Sequence, residues 1–128
     1  PKLQITETEL KAQLRQVQNV PDSLEQAARI LTQDMQDRRG IYVYPFRTGG
    51  SQEVTAFAAA LRGRLQEQLS TVRQPDQARL WLYGSYLITE QGLELSAHLA
   101  QSNNHRIEQS RSLFLPKAAY QGLKAKPS

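Results

Sequence analysis

The sequence predicts an α/β (α+β) domain with a mixed four-stranded sheet, in which helices pack on an antiparallel C-terminal meander. Between Arg79 and Leu115, apolar residues recur at every second position in three segments separated by two turns, as in strands with one buried face. Upstream, apolar residues recur at helical spacing in three further segments. A short β-rich segment precedes the third of these, so the predicted order is helix, helix, strand, helix, strand, strand, strand.

The first predicted helix begins near Thr6, which forms a plausible capping box with Glu9. One face of this helix is apolar, through Leu10, Leu14 and Val17. The pattern is short and rich in glutamine, so residues 1–20 are interpreted as an N-terminal helix or a connector.

The second predicted helix extends from Ser23 to Arg38. Ser23 and Gln26 give a capping signal at its start, and Gly40 suits its end. Its apolar stripe consists of Leu24, Ala27, Ala28, Leu31 and Met35.

Residues 41–46 form the predicted first strand, which should end near Pro45 because proline cannot donate a hydrogen bond to a ladder. A loop from Arg47 to Ser51 follows, with Ser51 as the expected N-cap of the third helix. The apolar stripe of that helix consists of Val54, Phe57, Ala58, Leu61, Leu65, Leu69 and Val72. It should cover the sheet face that presents Leu82, Tyr86, Leu95 and Leu99.

The last three strands are separated by turns at residues 90–92 and 102–104, which contain residues that favour tight turns. The strand, helix and strand upstream favour a right-handed crossover between two parallel strands. Residues 21–116 are therefore interpreted as a single α/β domain. Residues 117–128 are interpreted as a C-terminal tail that holds one helical turn and then frays.

Composition narrows the function classes. The chain has 128 residues and a net charge of +4, and residues 47–128 carry the whole excess with ten Lys/Arg against six Asp/Glu. A mildly basic half can attract nucleic acid, anionic lipid or an acidic partner. The chain contains no cysteine, which excludes disulfides, thiolate zinc sites and cysteine nucleophiles. No apolar run approaches the roughly 18 residues of a membrane span.

Few residues are suited to catalysis or metal binding. His98 and His105 are the two histidines of the chain, and neither stands in a recognisable set of metal ligands. Glu90, Glu94 and Glu108 lie at strand positions that should be exposed, and no nucleophile–base pair is visible. We therefore expect no catalytic, cofactor-binding or metal-binding residues and no small-molecule substrate.

Two features allow more than one interpretation. The loop of Arg47, Gly49 and Gly50 could bind an anion on free backbone N–H groups before a helix, although a simple turn with an N-cap explains it and is favoured. An aromatic row, with Tyr42 and Tyr44 on one strand, lies on the sheet face opposite the third helix. The second helix could cover this row as another core layer, which we favour because its stripe needs a surface, or the row could be open to a partner.

Four segments carry a resemblance to a known group of proteins: the strand 41–46 that ends in Phe, the Ser-capped helix 51–69, the aromatic Gly-Ser-Tyr strand 80–87 and the Leu-Ser-Ala strand 93–99. They resemble the FlgO-like flagellar assembly lipoproteins. They are more distantly similar to the N-terminal domain of the Tol-Pal translocation protein and to the curli secretion lipoprotein. The resemblance covers about residues 23–115.

The resemblance implies a non-catalytic protein-interaction and assembly module of a Gram-negative envelope machine, flagellar or secretion-related, in the periplasm or at the outer membrane. Its partners would be other envelope proteins or further copies of the chain. The chain begins at Pro1 and lacks a lipidated cysteine, so we expect an N-terminal part to have been removed. The alternative is a cytoplasmic nucleic-acid-binding module that uses residues 47–128, which the scattered Lys/Arg make less favoured.

Partner contact is expected on a strand edge, a loop and the last strand. The residues are Tyr42, Tyr44, Arg47, Gly49, Gly50, Arg106 and Arg111.

Charge reversal at Arg106 and Arg111 is expected to weaken capture of the partner without unfolding the domain, because both lie on a basic last strand. A pull-down of the partner, with circular dichroism as the folding control, measures this. Unchanged capture would remove that strand from the contact surface.

Overall fold

The structure is a computed structural model that describes residues 20–128; the first predicted helix, over residues 1–20, lies almost wholly outside the described residues. The described chain forms two α-helices, two short 3₁₀ helices (Pro75–Gln77 and Lys117–Tyr120) and one four-stranded sheet, which confirms the predicted fold class. The elements are α1 (Leu24–Leu31), β1 (Ile41–Val43), α2 (Ala56–Gln68), β2 (Leu80–Ile88), β3 (Gly92–Gln101) and β4 (Ile107–Pro116). Within these residues, no helix has the length and apolar character needed to cross a bilayer.

The sheet has the strand order β1-β2-β3-β4. β1 runs parallel to β2, with Ile41 opposite Leu80, as the strand–helix–strand order predicted. β2, β3 and β4 form the predicted antiparallel meander. β1 is shorter than predicted and ends at Val43, but the chain continues beside β2 because the Tyr44 N–H donates to the Leu82 carbonyl at 2.8 Å.

Helix α1 is shorter than the predicted 23–38 segment. Ser23 caps it as expected, accepting from the Gln26 N–H at 3.1 Å. The helix ends at Leu31, and the N–H and hydroxyl of its C-cap Thr32 both donate to the Ala28 carbonyl. Turns that return Met35 to the core follow.

Helix α2 begins later than predicted. Thr55, not Ser51, is its N-cap and accepts from the Ala58 N–H at 3.2 Å. Ser51 instead belongs to a turn closed by its N–H and the Thr48 carbonyl. Val54 therefore lies before the helix and is 44% exposed, whereas Phe57, Ala58, Leu61 and Leu65 are buried. The helix ends at Gln68, so the predicted stripe residues Leu69 and Val72 lie beyond it and are half-buried.

Both helices pack on the same face of the sheet. The buried residues of α1 belong to the same core cluster as those of α2 and the even-numbered positions of β2. Four strands about 4.8 Å apart are wider than one helix of about 10 Å diameter, so a second helix is needed to cover them. The sequence analysis favoured the interpretation in which the 23–38 helix covers the aromatic row. This interpretation is wrong, because α1 packs on the other face of the sheet.

The C-terminal tail packs against the domain and does not fray. Its Lys124 carbonyl accepts from the Phe57 N–H at 3.0 Å, so the tail satisfies a donor at the start of α2. The Tyr86 hydroxyl donates to the buried Ala125 carbonyl at 2.6 Å and contacts Thr55. Burial raises the pKa of Tyr86, and the hydrogen bond with Thr55 opposes that rise.

Gly84 allows close packing at the centre of β2. A Cβ at this position would overlap the Ser96 carbonyl oxygen of β3 and would lie 2.7 Å from the ring of Phe46. Phe46 is 1% exposed and cannot move without opening the core. Glycine is therefore required by the approach of a backbone and an aromatic ring, not by an unusual φ.

Gly84→Ala is expected to lower the free energy of unfolding by about 1–3 kcal/mol, because the added methyl overpacks the contact with Phe46. The matched control is Gly63→Ala in α2, where an added Cβ meets nothing within 4 Å. That change should be neutral or stabilise by up to about 1 kcal/mol, since alanine favours a helix. Chemical denaturation measures both; equal effects of the two substitutions would contradict the packing explanation.

Candidate protein-interaction site

The sheet face opposite the helices carries an apolar groove of about 590 Å³. We call it the aromatic groove, and its lining residues are Tyr44, Pro45, Arg47, Gln52, Trp81, Tyr83, Gly84, Ala100 and His105. No described helix covers it. The groove forms because odd-numbered residues of β2 face away from the core, on the same side as Tyr44.

Aromatic rings line the groove, and the ring of Trp81 makes a steep angle with that of Tyr44 and a shallow one, of 31°, with that of His105. The ring of Trp81 lies 5.8 Å from that of Tyr44 at 88°, an edge-to-face pair. The Trp81 indole N–H donates to the Pro75 carbonyl at 3.1 Å, which fixes the orientation of the ring. Edge-to-face pairs stabilise by about 0.5–1.5 kcal/mol beyond burial, so these rings form a preformed surface.

His105 completes one end of the groove. It lies in the turn between β3 and β4, and its ring is 5.1 Å from that of Trp81. Its backbone φ is +60°, an uncommon value for a residue other than glycine. The His105 N–H donates to the Gln101 carbonyl at 2.8 Å, and the register of β3 and β4 shifts nearby at Leu99/Ala100. Such irregularities redirect side chains, here towards Trp81.

The other end of the groove is formed by the predicted loop. The backbone of Arg47 is anchored on β2, since its carbonyl accepts from the Tyr86 N–H at 3.1 Å. Its guanidinium donates to the Gln52 side chain, which also lines the groove. Gly49 and Gly50 have φ of +60° and +75° and are exposed beside it.

The loop does not stand at a helix N-terminus, as the suggested anion site requires. Helix α2 begins at Ala56, so the loop does not lead directly into a helix N-terminus. The N–H groups of Phe57 and Ala58 donate to Lys124 and to the Thr55 side chain, and they are not free for an anion.

The outer edge of β1 is covered by α2 and by the segment that follows it. The Val72 N–H donates to the Ile41 carbonyl at 2.9 Å. Arg62 donates to the Val43 carbonyl at 2.8 Å and to the Tyr42 hydroxyl at 3.2 Å, with its guanidinium 5.5 Å from the centre of the Tyr42 ring. Tyr42, a predicted contact residue, is therefore held at this edge and does not line the groove.

Arg111, another predicted contact residue, connects β4 to α1. Its guanidinium donates to the Ile30 carbonyl and the Gln33 side chain, both at 3.1 Å, and it forms an ion pair with Asp34. These contacts are intramolecular, so Arg111 contributes to the position of α1. Arg106, by contrast, is exposed in the turn directly after His105.

A second ion pair lies at the same end of the sheet. Arg38 donates to Glu108 at 2.7 Å, and Gln101 donates to the other carboxylate oxygen at 2.8 Å. The hydrogen bond from Arg38, followed by that from Gln101, lowers the pKa of Glu108. Glu108 thus has structural partners and is not placed for acid–base chemistry.

Residues 20–128 contain no group of three or more side chains that could hold a metal ion. His98, on the open sheet face, bonds with Ser110 through Nδ1 at 2.8 Å, and its ring lies 5.4 Å from that of Tyr83.

The sequence predicted Tyr44 and Arg47 as contact residues, and both line the aromatic groove. It did not predict His105 and Gln52, which also line the groove. Strand alternation could place Trp81 and Tyr83 on the face of Tyr44. Nothing in the sequence signals that a turn histidine reaches Trp81.

No family model and no curated protein matches the chain. Among solved structures, the LpoB C-terminal domain from Escherichia coli matches with a TM-score of 0.51 and 13% identity, over 70% of this chain and 93% of that domain. The LpoB C-terminal domain from Salmonella enterica gives a TM-score of 0.49 and 15% identity over the same shares. The chain therefore has a fold similar to that of the E. coli domain.

Arg111→Glu is expected to lower the free energy of unfolding by about 1–3 kcal/mol, because it removes hydrogen bonds to α1 and adds a carboxylate beside Asp34. Arg106→Glu, in an exposed turn, is the matched control and should stay within about 0.5 kcal/mol of the wild type. Urea unfolding followed by circular dichroism measures both variants.

This result would show that the two arginines have different roles, although the sequence predicted both as contact residues. Reversal at Arg111 would then change stability as well as any partner binding, and only Arg106 would test the surface alone. An Arg111→Glu variant as stable as the control would show that α1 needs no such anchor.

Proposed function

We propose that this chain is a non-catalytic protein-interaction module of the bacterial envelope and that it binds its partner through the aromatic groove. The observation that carries the proposal is the groove itself, an apolar and largely preformed concave surface on the sheet face opposite the helices. Exposed aromatic clusters of this kind are typical of protein contact sites, where Trp, Tyr and Arg contribute most of the binding energy.

The groove has the anatomy of a contact surface. Tyr44, Trp81 and Tyr83 are half-buried, so each keeps part of its ring available. Polar side chains from Arg47, Gln52 and His105 stand among them and can fix the orientation of a partner. The lining residues do not include the carboxylate pair or nucleophile–base pair of a hydrolytic site.

The envelope setting is supported by the resemblance of the sequence to envelope lipoproteins of the FlgO-like group. The similarity to the LpoB C-terminal domain concerns the fold and is compatible with this setting. The finer assignment, to a flagellar or secretion-related assembly at the outer membrane, is supported by the sequence resemblance alone.

In vivo photo-crosslinking tests this proposal. In cells of the natural host, Tyr83 is replaced by p-benzoylphenylalanine in the full-length protein, and Leu87 is replaced in the control. Leu87 lies on the same strand and face but outside the groove and is 61% exposed. We expect a discrete adduct with an envelope protein from position 83 and a much weaker one, by about tenfold, from position 87.

Cell fractionation of the same cultures shows where the adduct forms. Adducts of equal yield from both positions would mean that the groove is not the contact site. A groove adduct found only in the cytoplasm would overturn the envelope setting.

A further inference from the structure

Tyr44 and Trp81 form a slot in the aromatic groove and not a flat platform, while Trp81 and His105 lie at 31° to one another. Tyr44 stands almost perpendicular to Trp81, at 88°. Successive nucleic-acid bases stack best on rings that present their faces, as in single-strand binding proteins. Perpendicular rings instead leave wedge-shaped spaces between an edge and a face. Compact, rigid apolar groups such as the pyrrolidine ring of proline fit such spaces, as in the aromatic grooves that bind proline-rich peptides.

The ring distances set an upper limit on the length of the groove, and one turn of a polyproline II helix is within that limit. Tyr44, Trp81 and His105 follow one another at centroid distances of 5.8 and 5.1 Å, so the outer two rings are separated by no more than about 11 Å. A polyproline II helix advances about 9 Å in each turn of three residues. Residues one turn apart in such a peptide can therefore contact both ends of the groove.

The charge around the groove favours a partner with carboxylates. The lining residues include Arg47 and His105 but no Asp or Glu. Arg106 directly follows His105 and is exposed. Of the carboxylates outside the lining, Glu108 pairs with Arg38, whereas Glu53, which accepts from the Ser128 N–H at 3.1 Å, and the exposed Asp76 keep their charge.

We propose that the aromatic groove binds an extended, proline-rich segment that carries carboxylates, supplied by the protein partner of the preceding subsection. The proline rings occupy the slot between Tyr44 and Trp81, and a carboxylate one turn along meets Arg47 at one end or Arg106 at the other. This assignment rests on the proposed interaction function and specifies the chemistry of the partner.

Fluorescence titration of the full chain tests this directly, since Trp81 is the single tryptophan of the sequence and lies in the groove. The probe is a synthetic peptide of three Pro-Pro-Glu repeats. One control peptide has Ala for Pro and keeps the charge; the other has Lys for Glu and keeps the prolines. We expect saturable binding of the probe and at least about tenfold weaker binding of each control.

Two variants locate the binding. Tyr44→Ala should weaken binding of the probe by about tenfold or more, and Leu87→Ala, on the same face but outside the groove, should leave it unchanged. Circular dichroism confirms that both variants are folded. If Tyr44→Ala does not fold, titration of the Arg47→Glu and Arg106→Glu variants with the same probe tests the two ends of the groove instead.

Three results would overturn the inference: no binding of the probe, equal binding of the Ala control, or Tyr44-dependent binding of an oligothymidylate in place of the peptide. A discrete envelope adduct at Tyr83 together with failure of the peptide would reject only the proline-rich partner. Loss of both would reject the interaction function as well.

Discussion

Packing of both helices on one face of a four-stranded sheet is the constraint on which the rest of this structure depends. The core consists of the inner sheet face together with the buried stripes of α1 and α2. Arg111 secures α1 over β4, and the tail residue Lys124 satisfies a donor at the start of α2. Because the helices are committed to this face, the aromatic side chains of the opposite face remain available for a ligand.

The tail contributes more to this arrangement than its composition suggests. Its Ala125 is buried, and the carbonyl of that residue receives the Tyr86 hydroxyl in a region where an unpaired phenol would be costly. The ring of Tyr120 packs at 5.3 Å from that of Phe57, and burial raises the pKa of Tyr120. The last residues thus close the end of the core at which α2 begins.

Local patterns were sufficient to predict the elements of the fold. The period of two in β2 and β3 fixed the buried face, with Leu82 and Leu95 on it, and the strand–helix–strand order fixed the parallel pair. The end of α1 and the start of α2 were not predictable in this way. Ser51 and Thr55 are equally plausible N-caps, and the apolar stripe of α1 continues past Thr32 to Met35. The choice between such alternatives is decided by the packing of the whole domain.

The candidate site was predictable only in part. Strand alternation placed Tyr44 on the same sheet face as Trp81. The face that α1 covers depends on the width of the sheet, and local sequence patterns do not indicate that width. The approach of His105 depends on a register shift and a positive φ in a turn. The anchoring of Arg111 depends on residues about 80 positions earlier in the chain, such as Ile30. Long-range contacts of this kind leave no signal in a single sequence.

The contacts of Arg62 have a consequence for the behaviour of the chain at high concentration. A bare strand at the margin of a sheet offers a template on which another chain can add, and this leads to fibrils and other aggregates. Here β1 is only three residues long, and the Arg62 guanidinium donates a hydrogen bond to the Val43 carbonyl at the edge of the strand. The positive charge of the same guanidinium lies over the ring of Tyr42. The β1 margin of the sheet is therefore a poor template for a second copy, and β4 forms the other margin.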